Sequence, residues 1–274
     1  MAAVYQTAEL ALREDVGSGD VTTNSIISPD LNVAALIIAK EEGVAAGLPV
    51  AEAVFRLLDG AISFSSRVRE GEQVKEGQAL ASVSGRARAI LTGERVALNF
   101  LQRLCGIATY TRRLVRLLDG YPVKIVDTRK TTPGLRLLEK YAVRVGGGKN
   151  HRFGLYDAVL IKDNHLKVAG SIARAVQLAR ASVPLTMKIE VETENLDQVE
   201  EALAAGADII MLDNMEPEAM REAVSLVAGR ALLEASGGIN EKNILAVARS
   251  GVDFISVGAL THSAPALDIS LEIV

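Results

Sequence analysis

The sequence has little of what disulfides, metal clusters and nucleic-acid surfaces are made from. Cys105 is its only cysteine, which excludes an intrachain disulfide and a cysteine-based zinc site. His151, His165 and His262 are its only histidines, and their scatter along the chain does not suggest a zinc cluster. Aromatic residues make up only 4%, so the core must be aliphatic, as in parallel sheets. The formal net charge is −4, which argues against general polyanion binding and against nucleic acid as a partner. No apolar run approaches the roughly 20 residues that span a membrane. The first residues, MAAVYQTAELALRED, lack a basic stretch followed by an apolar one, so no secretory signal is expected and the cytoplasm is the expected location.

What is present is aliphatic and repetitive. Apolar residues make up 49% of 274, enough for one large or two modest domains. Six apolar runs in the second half each end in a polar or glycine residue: VKIVDTRK (123–130), AVLIKDNH (158–165), LTMKIEVE (185–192), DIIMLDNM (208–215), ALLEASGG (231–238) and DFISVGAL (253–260). Each has the length of a buried strand, and helix-like stretches follow near 134–141, 171–180, 195–205, 217–227 and 240–250. Pro217 suits a first helical turn. The pattern is that of a βα barrel, whose C-terminal strand ends meet at one mouth. Six strands are clear and a seventh is placed at 142–145. Eight close a barrel, so an open, incomplete α/β barrel of about seven strands is expected.

The first half has another texture. The sequence predicts a short helix over 7–14, a polar loop at GSGDVTT (17–23), a strand over 33–39, a helix over 50–58 and a small β unit over 74–83. That unit has the look of a lipoyl or biotinyl carrier turn, but Lys75 in QVKEG lacks the carrier context, so the unit is read as structural. Residues 92–118 show helical spacing, as one long helix or two joined near Gly106. The expected domains are an N-terminal α/β domain over 1–105 and the barrel over 106–261. The alternating tail, 262–274, is expected to return to the first domain.

The strand ends carry three kinds of chemistry. Arg129, Lys130, Lys149, His151, Arg152 and Lys162 are cations, or a potential cation, on three neighbouring segments, suited to carboxylates and phosphates. Lys162 follows the apolar AVLI, which predicts burial, and a buried lysine needs a partner or a task. Glu190 and Glu192 share a strand face, and Asp213 ends the next strand. Such carboxylates suit a hard cation, or pair with Lys188, Lys162 or Arg129. The glycine-bearing ends at Ser236–Gly237 and Gly258 suit phosphate.

These residues lie in segments that resemble the quinolinate phosphoribosyltransferase family: EDVGSGDVTT, GERVALNFLQRLCGIAT, the long block DTRKTTPGLRLLEKYAVRVGGGKNHRFGLYDAVLIKDNH, then KIEVE, MLDNM, LEASGGI and SVGALTHS. The resemblance runs from Glu14 to Ser263. It implies an α/β sandwich domain followed by an open barrel. It implies transfer of phosphoribose from phosphoribosyl pyrophosphate to quinolinate with loss of CO2, giving nicotinate mononucleotide and requiring Mg2+. By the same resemblance Arg129, His151, Arg152 and Lys162 line the quinolinate pocket, and Lys130 lies between the substrates. Glu192 and Asp213 sit near ribose and metal, contacting the ion directly or through water or substrate. Ser236, Gly237 and Gly258 belong to phosphate loops. Lys130, Glu192 and Asp213 are the expected catalytic residues. Arg95 matches an arginine supplied across a homodimer, which in the family also builds hexamers. The alternatives are a same-fold paralogue acting on another acceptor and a Schiff-base aldolase using Lys162. The full cation set favours the dicarboxylate.

Overall fold

The computed structural model describes residues 2–274. The chain opens with α1 (Ala2–Val16) and α2 (Val21–Ile26). The sequence predicted a polar loop through 17–23, but Asp20 starts a helix there. Its Oδ1 accepts from the Thr23 main-chain N–H at 2.9 Å, the N-cap bond that satisfies a free amide. Then come β1 (Asn32–Ala39), β2 (Gly43–Val44), α3 (Leu48–Leu58), β3 (Ser63–Ser66), β4 (Gln73–Val74), β5 (Ala79–Arg86) and α4 (Ala87–Leu117). The barrel segment holds β6 (Lys124–Val126), α5 (Arg136–Val145), β7 (Val159–Ile161), α6 (Asp163–Ala169), α7 (Ile172–Ser182), β8 (Ile189–Thr193), α8 (Leu196–Ala204), β9 (Ile209–Asp213), α9 (Pro217–Val227), β10 (Leu232–Ser236), α10 (Ile244–Ala248) and β11 (Phe254–Ser256). The chain ends with α11 (Ala259–His262) and β12 (Ile269–Ile273).

Two compact units result. The first comprises Met1–Arg112, Thr131–Gly147 and Thr261–Val274; the second comprises Arg113–Lys130 and Gly148–Leu260. The first unit contains a four-stranded sheet in the order β12-β1-β5-β3, all pairs antiparallel. The predicted β unit over 74–83 is divided: β4 pairs with β2, and β5 lies inside the larger sheet. Residues 92–118 lie in one unbroken helix but for Leu118, and Gly106 marks a close approach, not a break. A Cβ there would collide with the main-chain carbonyl of Pro265.

The second unit is a parallel sheet in the order β6-β11-β10-β9-β8-β7. Its interior strand residues Ile189, Val191, Ile210, Leu212, Ala235 and Ile255 are fully buried, as aliphatic parallel strands require. β6 lies beside β11, as the first strand of a closed barrel lies beside the last. Its other side carries only a single bridge, Val126 to Lys149. The barrel is therefore open, with six strands and one bridge among the described residues. The seventh strand expected at 142–145 is helical, being the end of α5. The apolar spacing there fits a short strand or a helix face, and Leu138, Ala142 and Val143 are buried as one helix face.

Candidate active site

Side chains alternate along a strand, so every second residue of a barrel strand faces inward. The cavity of the second unit shows this directly. Leu160 and Lys162, Met211 and Asp213, and Glu234 and Ser236 all line it, each pair two residues apart on one strand or just past its end. β10 pairs with β9 so that Ser236 lies level with Asp213. The polar residues are thereby brought to one mouth. The cavity measures about 490 Å³ and is also lined by Thr128, Arg129, Lys130, His151, Arg152, Glu192, Asn214, Gly237, Gly238 and Ser256.

Of the residues expected from sequence, Arg129, Lys130, His151, Arg152, Lys162, Glu192, Asp213, Ser236 and Gly237 line this one cavity. Gly258 follows β11 but does not line it. Arg95 lies on α4 in the first unit, is exposed, and is not among the lining residues. Lys162 is not buried, as its apolar run suggested. Leu160 and Ile161 are, but Lys162 emerges at the strand end with its side chain 46% exposed. It pairs with Glu192 at 2.8 Å.

The cationic side holds a donor with nothing to bind. Arg129 Nε is buried and has no hydrogen-bond partner, a condition that costs free energy until an acceptor arrives. Arg152 feels Arg129 as a like charge; burial first, then Arg129, lowers its pKa. Two close guanidiniums beside an open cavity are poised for an anion.

The loop bearing His151 and Arg152 is tied down by buried acids. Asp127, fully buried at the end of β6, accepts from Asn150 Nδ2 at 2.5 Å and from the His151 main-chain N–H at 2.9 Å. The His151 ring places Nε2 2.9 Å from Glu190 and 3.4 Å from Glu234. Burial would lower the imidazole pKa, but the hydrogen bonds and charges of Glu190 and Glu234 outweigh it and push it up to about 10. Burial raises the pKa of Glu190. Nδ1 accepts from the Arg152 main-chain N–H at 2.7 Å, the geometry of a ring protonated on Nε2. The raised pKa calls for a second proton, on Nδ1, which would displace that bond; the two disagree, and the 2.7 Å contact decides for the ring without it.

His151, Glu190 and Glu234 offer ligand atoms within 4.8 Å of one another, a spacing compatible with a divalent metal. The hydrogen bonding points elsewhere. A metal on Nε2 needs its lone pair and puts the ring hydrogen on Nδ1, where the Arg152 amide already donates. The cluster is a held histidine. Glu190 was expected to face the mouth with Glu192. It is buried beside His151 instead, and only Glu192 lines the cavity.

Glu234, Asn214 and Thr128 also line the cavity and were not expected from the sequence. An acid inside the apolar run ALLEA was a signal for Glu234, since strand acids are rarely buried without a task. Asn214 has a left-handed φ of 54° and its main-chain N–H donates to Ser236 O at 2.9 Å. Its side chain donates to Asp213 Oδ2 at 2.9 Å. Gly237 has φ +92°, and any side chain there would strike the Asn214 amide. Glycine is therefore required at this position on two counts.

Comparison with known proteins follows the same lines. The family model described as "Quinolinate phosphoribosyl transferase, C-terminal domain" matches residues 107–272, and the corresponding N-terminal domain model matches 20–105. A probable carboxylating nicotinate-nucleotide pyrophosphorylase of Bacillus subtilis is 49% identical over 260 residues, covering 95% of this chain and 90% of its own. A probable enzyme of the same name from Synechocystis is 49% identical over 266 residues, covering 96% and 90%. The solved structure of the nicotinate-nucleotide pyrophosphorylase from Francisella tularensis superposes with a TM-score of 0.95 at 44% identity, covering 100% of this chain and 96% of that one.

Proposed function

The chain belongs to the quinolinate phosphoribosyltransferase family, and from that premise we propose how its residues perform the family reaction. The protein transfers phosphoribose from phosphoribosyl pyrophosphate to quinolinate with decarboxylation, a step of NAD biosynthesis. The pyridine nitrogen attacks the anomeric carbon. The bond to pyrophosphate breaks, with its electron pair leaving on that oxygen. The ring carboxylate next to the new C–N bond then departs as CO2. Its electron pair stays on the ring carbon beside the cationic nitrogen and takes up a proton. The substrate supplies the nucleophile and the electron sink, so the protein's task is to orient and neutralise.

The observation that carries the assignment of roles is the buried, unpartnered Nε of Arg129 in a cation-lined cavity. Two adjacent quinolinate carboxylates match it, with Arg152 and Lys162 as the other charged contacts and His151 lining the same pocket. Lys130 faces the same cavity and lies between the two substrates. Glu192 and Asp213 support the developing ribose cation. Ser236 and Gly237 receive phosphate, helped by an open main chain at two glycines of positive φ, Gly237 and Gly238. Gly258 belongs to the adjoining phosphate loop.

Glu192 and Asp213 also suit Mg2+: both are oxygen donors, and both line the cavity. Mg2+ commonly takes one or two carboxylates with substrate phosphates. When bound, the ion neutralises charge on the departing pyrophosphate.

The working form is a cytoplasmic homodimer with Arg95 supplied across the subunits, a form from which hexamers can be built. Among the described residues no helix is long and apolar enough to cross a membrane.

The test is direct. Purified protein with quinolinate, phosphoribosyl pyrophosphate and Mg2+ should release CO2 and form nicotinate mononucleotide. No product at high enzyme concentration sinks the reading. Competing nicotinate against quinolinate separates it from a paralogue with another acceptor, since nicotinate lacks the second carboxylate that the arginines fit.

A further inference from the structure

Resting on that reading, we propose that Glu234 is a positioning residue for quinolinate recognition, acting through His151 on Arg152. Glu234 lines the cavity, but its carboxylate turns to His151. Its side chain is 3% exposed, and its Oε2 lies 3.4 Å from His151 Nε2. Glu190 approaches the same nitrogen at 2.9 Å from the other strand. Together they clamp one end of the imidazole. The other end, Nδ1, accepts the main-chain N–H of Arg152 at 2.7 Å. The ring is thus a strut between two buried carboxylates and the backbone of a cavity-lining arginine.

The rest of the loop is fixed the same way. Asp127 holds the Asn150 side chain and the His151 main-chain N–H. Residues 150–152 have no regular hydrogen-bonded structure of their own, so side chains must define their path. Arg152 makes one further hydrogen bond that bears on its aim, from Nη1 to the Ala158 carbonyl at 3.2 Å. Without the strut, the guanidinium keeps its charge but loses its fixed origin.

Charge supplies the second reason. Two carboxylates below an anion pocket oppose a dianionic substrate unless they serve a local cation or donor. Each has one buried oxygen, Oε1, with no hydrogen-bond partner, so each is held in place at a cost. Orienting the Nε2–H is the contact they visibly make. Glu190 also stands as a counter-charge to Arg152. Among the described residues Glu234 pairs with His151 alone, so its removal isolates the strut.

The experiment is steady-state kinetics on Glu234→Gln, which keeps the side chain's volume and removes its charge. The KM for quinolinate should rise roughly three- to tenfold, the scale of a charge-assisted hydrogen bond weakened to a neutral one. The KM for phosphoribosyl pyrophosphate should stay within about twofold of wild type, below that scale. Glu234→Asp, which draws the carboxylate back by one methylene, should show the same split, and serves if the glutamine variant fails to fold. In a His151→Ala background, Glu234→Gln should add nothing to the quinolinate KM, since the strut is already gone. An unchanged quinolinate KM overturns the proposal. So does an equal rise in both KM values, a fall in kcat alone, or an additive effect in the His151→Ala background. A wild-type protein inactive on quinolinate would instead sink the proposed function itself, so the two failures are distinguishable.

Discussion

Replacing Arg129 by lysine keeps one positive charge at the cavity and deletes the buried Nε donor, which has no protein partner. If that donor waits for a quinolinate carboxylate, the variant loses one charge-assisted hydrogen bond and the planar fork that makes two. A hydrogen bond to a charged group contributes about 1.5–3 kcal/mol, which corresponds to roughly 10- to 150-fold in the quinolinate KM. The same observation predicts a second, opposite effect. The free protein carries an unsatisfied buried donor, so Arg129→Met should be inactive yet no less stable than wild type, despite losing a charged side chain. The assay is initial-rate CO2 release with each substrate varied in turn, with thermal unfolding alongside. The expected result is a large rise in the KM for quinolinate, little change for phosphoribosyl pyrophosphate, and an undiminished Tm for the methionine variant. A wild-type quinolinate KM in Arg129→Lys would refute the reasoning. A Tm several degrees lower in Arg129→Met would show that the guanidinium already stabilises the free protein.

Three further outcomes are expected. Gly106→Ala forces a methyl into the Pro265 main chain and should cost about 1–3 kcal/mol or more by overpacking, read as a Tm lowered by several degrees. Asp208 accepts hydrogen bonds from the Ile189 main chain, Arg180 and Lys188. Burial would raise its pKa, but these partners outweigh it and hold it below the usual carboxylate value. A depressed folded pKa stabilises above the unfolded value of about 3.9 and is lost as pH falls through the folded value. Asp208→Asn should therefore lower Tm by about 2–4 °C at pH 7, for about 1 kcal/mol, and the gap should close below pH ~4. Mixing inactive Arg95→Ala and Lys130→Ala proteins should restore part of the activity in hybrid dimers; no rescue despite demonstrated subunit exchange would count against an arginine supplied across subunits.

Much of the barrel was legible because its signal is local. A run such as DIIMLD announces a buried strand, and alternation tells which of its residues share a face. That is why the sequence alone places Asp213, Glu192 and Ser236 at one mouth. Elsewhere the local signals are ambiguous. Residues 142–145 fit a strand or a helix face, and burial of Leu138 with Ala142 decided for the helix. GSGDVTT looked like a loop, although Asp20 was an N-cap in plain sight. Lys162 looked buried because its neighbours are, but a strand end exposes what its middle hides.

The sequence by itself determined the chemistry available: the strand-end cations, the acids two residues apart, the glycines after the last strands, and the family they resemble. Those follow from residue type and period, which the chain carries locally. Only the tertiary structure decided which groups meet. Glu190 and Glu234 lie 44 positions apart, on strands separated in the sheet by β9, yet they close on one histidine nitrogen. No periodicity encodes such a meeting, because it depends on how the sheet curves and where a loop without regular structure is tied. Nor could the sequence show that Arg129 Nε is buried without a partner. That single unsatisfied donor, visible only in three dimensions, turns a list of cations into a pocket shaped for an anion.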